Sequence, residues 1–270
     1  GLAVRKPGRP DYAVALSNGT GFGDGTLAVV AGPCSVESES QICEIAAAVK
    51  EAGAMALRGG AFKPRTSPYS FGGLGERGLD YLSRAREKTG LPVVTEILDA
   101  RDIDLVARCA DVLQIGSRNM QNFTLLFAAG GHPSGKPVLL KQGFGATVEE
   151  FLQAAEYVLL GRLSAGREDP GLVLCVRGIR TFEPSLRFTL DVGGLAVLRD
   201  RTHLPVIADP SHAAGDRRYV APLARAAVAA GAQGIMVEVH RDPARAWSDG
   251  DQCLDFGGFK DMMAGLRRGG

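Results

Sequence analysis

The chain has 270 residues, enough for one large domain or two small ones. Its 31 Lys and Arg against 30 Asp and Glu leave a formal charge of +1, which excludes a protein built to coat nucleic acid. Apolar residues at 45% and charged ones at 23% exclude a disordered chain, and no apolar run approaches the roughly 18 residues of a membrane span.

The first 14 residues, GLAVRKPGRPDYAV, contain no apolar core of the roughly 7–15 residues that a signal peptide needs. Five scattered cysteines, an odd number, argue against a disulfide framework, so a reduced, cytoplasmic protein is expected. Residues 1–25 are rich in Gly and Pro and contain one alternating stretch, Tyr12–Leu16, which reads as a short hairpin or arm. Glycines 19, 21, 23 and 25 read as turns, since no strand feeds them into a helix as a phosphate loop requires.

From Leu27 onward the pattern is regular. Apolar strands are expected at Leu27–Ala31, Met55–Arg58, Pro92–Glu96, Val112–Ile115, Pro137–Lys141, Leu172–Val176, Pro205–Ala208 and Gly234–Val239. Helices are expected at Ser38–Ala52, opened by the capping box Ser38-x-x-Gln41, and at Gly78–Thr89, Ala100–Cys109 and Gln121–Ala129. Four more follow at Val148–Leu160, Ser185–Arg199, Tyr219–Ala230 and near Phe259–Arg267. Continuous apolar strands alternating with helices imply a parallel sheet covered by helices. Eight such units in about 240 residues point to an α/β fold, a (β/α)8 TIM barrel over 26–270 with residues 1–25 as its arm. An open doubly wound sheet is the alternative, but AGPCSVES follows the first strand where a Gly-rich nucleotide turn would stand.

In such a barrel the chemistry sits at the C-terminal ends of the strands. Taken in order, these ends supply Cys34; Arg58, Lys63 and Arg65; Glu96; Arg118; Lys141; Arg177 and Arg180; Asp209 and His212; then Glu238 and His240, with Asp249 beyond. One Lys or Arg after a strand is ordinarily a solvated loop residue. Eight strands that each deliver a polar group to one rim are not explained that way.

The rim separates into two chemistries. Arg58, Lys63, Arg65, Arg118, Lys141, Arg177 and Arg180 form a concave cationic mouth suited to small phosphorylated acids, with few aromatic residues for stacking bases. Cys34, His212, Glu238 and Asp249 combine thiolate, imidazole and carboxylates, a set that suits a borderline divalent metal. No C-x-x-C or H-E-x-x-H spacing supports that, and the residues alone leave open that Cys34 packs and His212 contacts a loop or phosphate. Cys43, Cys109, Cys175 and Cys253 read as packing residues, and His132 and His203 as solvated ones. Trp247 and His240 have no evident partner in the sequence.

The segments GPCSVES, LRGGAFKPRTSPYSFGG, LQIGSRNMQN, KPVLLKQGFGAT, VRGIRTFEP, ADPSHAAG and MVEVH followed by SDGDQ are together similar to the type Iβ 3-deoxy-D-arabino-heptulosonate 7-phosphate (DAHP) synthases. The resemblance spans roughly residues 25–257. It implies a metal-dependent transferase that condenses phosphoenolpyruvate with erythrose 4-phosphate and water, the entry to the shikimate pathway and so to aromatic amino acids. It implies one divalent ion per chain, such as Mn²⁺, Fe²⁺, Co²⁺ or Zn²⁺, on Cys34, His212, Glu238 and Asp249. Phosphoenolpyruvate then falls to Arg58, Lys63, Ser117, Arg118, Lys141 and Arg177, with Arg118 and Arg177 on its phosphate and Arg58 and Lys141 on its carboxylate. Erythrose 4-phosphate falls to the KPRT run, Lys63 with Pro64, Arg65 and Thr66, and to Asp249. Lys63 is the expected proton donor, its pKa depressed by the surrounding cations, Glu96 orients or deprotonates water, and Cys34 and His212 act through the metal.

A sister family makes 3-deoxy-D-manno-octulosonate 8-phosphate from arabinose 5-phosphate and remains an alternative. KPRTS and GSRN in this chain match the heptulosonate pattern instead. A non-catalytic barrel that binds metal or phosphate is a third reading, which the complete set of ligand and anion positions disfavours. The resemblance further implies a homotetramer or homodimer, with no nucleic-acid or membrane partner. With about 25 residues before the first strand, the sequence is expected to lack an added regulatory domain and feedback inhibition by aromatic amino acids.

Overall fold

Short runs of Val, Ile, Leu and Ala form eight parallel strands, buried on both faces. In the computed structural model, which describes residues 1–64 and 67–268, a small hairpin precedes them: β1 (Val14–Ala15) and β2 (Gly21–Phe22). The barrel strands are β3 (Ala28–Gly32), β4 (Ala56–Arg58), β5 (Val93–Ile97), β6 (Val112–Ile115), β7 (Val138–Lys141), β8 (Leu172–Val176), β9 (Val206–Ala208) and β10 (Gly234–Glu238). Each pairs in parallel with its sequence neighbour, and β10 closes the sheet onto β3, with Glu238 opposite Gly32. The fold is thus a (β/α)8 barrel, and the open-sheet alternative is excluded.

Alternation along the strands divides the core in two. Ala28 and Val30 point into the barrel with Ala56, Val94, Val112, Leu139, Val173, Ile207 and Met236. Val29, Ala31, Leu57 and Val93 point outward against the helices. Val14, Leu16 and Phe22 join the inner cluster, so the hairpin plugs the end of the barrel opposite the catalytic rim. The chain before it is tied down as well. The backbone N–H groups of Leu2 and Ala3 donate to Glu156, each at 2.7 Å, and Arg5 reaches the carbonyls of Arg199, Asp200 and Thr202.

The helices are α1 (Glu39–Glu51), α2 (Glu76–Thr89), α3 (Ile103–Ala107), α4 (Phe123–Gly131), α5 (Val148–Ser164), α6 (Val192–Arg201), α7 (Pro210–Ala214), α8 (Arg217–Ala229) and α9 (Phe256–Arg268). Two depart from the sequence reading. The helix expected at Ser185–Arg199 starts only at Val192, where the Asp191 side chain caps it by accepting from Gly194. Before that, Pro184 and local turns through Glu183, Thr181 and Thr189 hold an irregular loop, with Ile179 bridged to Thr189. Short α7 was not expected at all. Asp209 caps it and Pro210 starts it, and it turns His212 back over the barrel mouth. His203, expected to be solvated, is buried beside Tyr12 beneath the arm.

Candidate active site

The eight strand ends surround a cavity of about 240 Å³ lined by cations, carboxylates and Phe144. Gly32 is required at the end of β3, because a Cβ there would lie 2.0 Å from the Arg58 carbonyl oxygen on the adjacent strand. The chain passes this point and places Cys34 on the rim.

Cys34, His212 and Glu238 come together, with their ligand atoms all within 4.8 Å of one another. Asp249, the fourth expected ligand, stands beside this group and is not one of the three. Its Oδ2 accepts from the Cys34 thiol at 3.0 Å, and among the described residues it is the one non-glycine with positive φ (49°). Ser35 and Ser248, joined at 2.8 Å, hold the Asp249 loop against the loop that carries Cys34.

Burial, reinforced by Glu238, pushes the Cys34 thiol up to about 12. Burial holds His212 down to about 4 despite Asp209 and Glu238, so the ring is neutral at neutral pH. Its Nδ1 lies 2.7 Å from Asp209, and we assign the ring's one N–H to that contact. The Nε2 lone pair then faces Glu238 Oε1 at 3.3 Å, an oxygen that accepts no hydrogen bond although the Arg58 guanidinium lies 3.1 Å from it. Two acceptors facing each other beside a thiol make a site for a cation, and the S, N, O donor set fits a divalent transition metal.

Lys63 lies across this cluster, donating to the Cys34 carbonyl and Sγ, each at 3.0 Å. The expectation of a depressed pKa fails. Burial and Arg58 lower it, but the Cys34 sulfur and Glu238 outweigh them and raise it. Arg58 meets Glu238 at 3.1 Å, and Lys141 pairs with Asp209. Both expected carboxylate-binding cations are thus anchored to buried acids, while Arg58 Nε and Nη1 keep no hydrogen-bond partner. Glu96 sits deeper, 3.4 Å from the Gln114 amide, with its pKa raised by burial. A side chain at Gly116 would push the Glu96 carboxylate out of this position, since a Cβ there would fall 2.0 Å from Glu96 Oε1.

Ser117, Arg118 and Arg177 line the other wall. Arg177 is buried, its Nε and Nη1 without hydrogen-bond partners, and burial lowers its pKa to about 10. Its guanidinium lies 4.8 Å from the Phe144 ring and 4.4 Å from that of Phe188, and Arg118 lies 5.3 Å from Phe144. Aromatic residues therefore do enter the site, as plates that orient arginines. Arg180 is exposed and lines an adjoining groove over the same Phe144. Pro64 lines the cavity, whereas Arg65 and Thr66 lie outside the described residues.

Three contributors escaped the sequence reading of the site. Arg187, on the loop after β8, donates to Asp249 at 3.2 Å and to Gln252 at 3.0 Å, and Gln252 donates to Glu238 at 2.7 Å. Asp209, noted at its strand end, was assigned no role. Gln114 alternates with apolar residues on β6 and was hidden in the run VLQI. Only the polar residue inside that strand could have signalled it. His240 and Trp247 lie outside the cavity, the first paired with Glu37 at 3.2 Å and the second edge-on to Phe71.

The sequence of the DAHP synthetase I family is matched over residues 11–267. The chain belongs to that family. Within it, the phospho-2-dehydro-3-deoxyheptonate aldolase of Thermotoga maritima is 49% identical over 265 residues, covering 98% of this chain and 76% of that one. The crystal structure of the T. maritima enzyme superposes with a TM-score of 0.92 at 48% identity, over 99% of this chain and 76% of that one. A 2-dehydro-3-deoxyphosphooctonate aldolase from Cupriavidus necator is 32% identical, covering 88% of this chain and 87% of that one. Membership of the DAHP synthetase I family thus agrees with the barrel and with the residues gathered at its rim.

Proposed function

We infer that this chain is a metal-dependent transferase that condenses phosphoenolpyruvate with erythrose 4-phosphate and water to give DAHP and phosphate. The observation that carries the reading is the meeting of Cys34, His212 and Glu238 at the edge of a cavity that His212 lines together with Lys63, Arg118 and Arg177. The higher identity to the heptonate enzyme than to the octonate enzyme favours erythrose 4-phosphate over arabinose 5-phosphate.

Cys34, His212, Glu238 and Asp249 would hold one divalent ion, which supplies Lewis acidity toward an aldehyde oxygen. Arg118 and Arg177, with the backbone at Ser117, bind the phosphate of phosphoenolpyruvate by charge-assisted hydrogen bonds. Arg58 and Lys141, held by Glu238 and Asp209, present their remaining donors to its carboxylate. Lys63 with Pro64, Arg65 and Thr66 receives the aldose phosphate side, and Asp249 faces the same end of the cavity.

The new bond joins C3 of phosphoenolpyruvate to C1 of the sugar. The aldehyde oxygen takes a proton from Lys63, whose raised pKa keeps it charged and loaded. Water adds to C2 and loses a proton toward Glu96. The C2–O bond to phosphate then breaks, the remaining hydroxyl loses its proton, and a ketone and free phosphate leave. Asp209 acts through its neighbours, fixing the tautomer of His212 and the position of Lys141.

We further propose a cytoplasmic homodimer or homotetramer, with the arm ending and the barrel beginning near residues 25 and 26. The free thiols of all five cysteines support a reducing compartment. The deciding assay is phosphate release from phosphoenolpyruvate with each aldose phosphate, with and without chelator. Release only with erythrose 4-phosphate, abolished by chelation and restored by Mn²⁺ or Co²⁺, supports the reading. Release with arabinose 5-phosphate alone, or full activity without metal, overturns it.

A further inference from the structure

Two consecutive residues on the loop after β8, Arg187 and Phe188, touch both ends of the candidate site. The tip of that loop, residues 180–185, is exposed, and the two stand where the chain returns to the barrel. Their backbones are held by α7, the short helix that carries His212. The Arg187 N–H donates to the Ala214 carbonyl at 3.1 Å and the Phe188 N–H to that of Ala213 at 2.9 Å.

The side chains then part. Arg187 Nη1 donates to Asp249 Oδ1 at 3.2 Å and to Gln252 Oε1 at 3.0 Å. The first contact leaves Asp249 Oδ2 to the Cys34 side. The second turns the Gln252 amide so that its NH2 donates to Glu238 Oε2 at 2.7 Å, which leaves Oε1 toward His212. A carboxylate held by one oxygen presents the other in a fixed direction. One arginine thus orients both carboxylates of the expected metal set. Phe188 turns the other way. Its ring stacks on Phe144 with centroids 5.2 Å apart and planes within 9°, and the Arg177 guanidinium lies 4.4 Å from its centre. Arg177 Nε and Nη1 have no hydrogen-bond partner among the described residues, so the aromatic faces set where this buried cation points.

We propose that Arg187 and Phe188 are positioning residues that couple the metal to the phosphate of phosphoenolpyruvate. A metal on Asp249 and Glu238 fixes Arg187, and a phosphate on Arg177 fixes Phe188. Either event orders the shared backbone, so the second ligand meets a segment already ordered. Such coupling is reciprocal, each ligand tightening the other by the same factor. Arg58 on Glu238 and Lys141 on Asp209 offer a separate path through the substrate carboxylate, so loss of Arg187 or Phe188 reduces the coupling without abolishing it. The inference rests on the proposed reaction and adds how its two binding ends communicate.

The experiment is calorimetry of the full chain with Mn²⁺ and phosphoenolpyruvate, each titrated alone and in the presence of the other, without aldose phosphate. The variants are Arg187→Met, Arg187→Lys, Phe188→Leu and, as a control at the exposed loop tip, Phe182→Ala. In the wild type we expect each ligand to tighten the other about fivefold or more. Arg187→Met should weaken Mn²⁺ about tenfold or more, with phosphoenolpyruvate unchanged in the metal-free protein, and Arg187→Lys should recover part of that loss. Phe188→Leu should weaken phosphoenolpyruvate and leave Mn²⁺ alone unchanged. Arg187→Met and Phe188→Leu should each cut the coupling about threefold or more, and Phe182→Ala should leave it intact.

Coupling kept by either of those two variants, or cut equally by Phe182→Ala, overturns the proposal. Arg187 also lines the cavity, and an Arg187→Met that loses phosphoenolpyruvate without metal would make it a substrate contact and overturn the proposal as well. A wild type that binds the two ligands independently overturns the coupling and leaves the proposed function standing, whereas one that binds neither sinks both. Should a variant not fold, hydrogen exchange of the wild type decides. Protection of the Arg187 and Phe188 amides raised by Mn²⁺ alone and by phosphoenolpyruvate alone supports the proposal, and protection raised by only one of them, or by neither, overturns it.

Discussion

Asp209 links His212 to Lys141 beneath the candidate site. Its carboxylate is fully buried, accepts from His212 Nδ1 and the His212 backbone, and pairs with Lys141. Asp209→Asn keeps the shape but can offer His212 an amide N–H where an acceptor stood, releasing the tautomer that frees Nε2. We expect metal affinity to fall about 10–100-fold, read by direct metal titration, with a weaker KM for phosphoenolpyruvate through Lys141. Unchanged metal affinity would remove Asp209 from the ligand system.

Cys34 sets the pH dependence of metal binding. A thiol near 12 is protonated throughout the neutral range, and a His212 near 4 is already neutral above about pH 5. Binding therefore displaces one proton, from sulfur. Affinity should rise about tenfold per pH unit between roughly pH 5 and pH 8 and fall in acid. Calorimetry in two buffers of different ionisation enthalpy counts that proton. In Cys34→Ser the displaced proton and most of the affinity should disappear together, and full activity in a metal-free Cys34→Ala protein would overturn the metal site.

At the scale of elements, the β1–β2 hairpin and the loop after β8 act at opposite ends of the barrel. The hairpin is too short to be stable alone, and it holds its place by inserting Val14, Leu16 and Phe22 into the inner core. Phe22 is fully buried. Phe22→Ala should destabilise the fold by about 3–5 kcal/mol, measured by urea unfolding, while KM for both substrates stays unchanged because the rim is at the other end. The loop over residues 177–191 carries Arg177, Arg187 and Phe188, and its irregular path is what lets Arg187 reach Asp249 and Gln252. A helix starting at Ser185 would have carried that arginine along its own axis.

For the whole molecule, a net charge of +1 conceals a strongly cationic cavity. Arg177 shows the consequence. Burial brings its pKa from 12.5 to about 10, a depression on the order of 3 kcal/mol against the charged form. Since the folded value is the lower one, the penalty is present across neutral pH and fades only as pH rises through about 10. Arg177→Met should therefore stabilise the ligand-free protein by about 1–3 kcal/mol in thermal or urea unfolding. The same change should weaken phosphoenolpyruvate about ten- to hundredfold. In the wild type, phosphoenolpyruvate at about 100 times its Kd should add about 2.7 kcal/mol. A destabilised Arg177→Met with unchanged KM would show that the arginine serves the fold and not the substrate.

The barrel and most of its rim were legible in the sequence because both are written locally. Two-faced burial makes each parallel strand a continuous apolar run, and the residue that follows a run stands at the rim whatever the distant chain does. Cys34, Arg58, Glu96, Lys141 and Glu238 could be placed by that rule, and motifs such as GPCSVES and MVEVH suggested roles through the family resemblance. Contacts between loops were not legible. Arg187 meets Asp249 across 62 residues and Lys141 meets Asp209 across 68, and no periodicity encodes such pairings. The raised pKa of Lys63, the burial of His203 and the facing of His212 Nε2 by Glu238 depend on which groups end up adjacent in a low-dielectric interior. Only the closed barrel decides that.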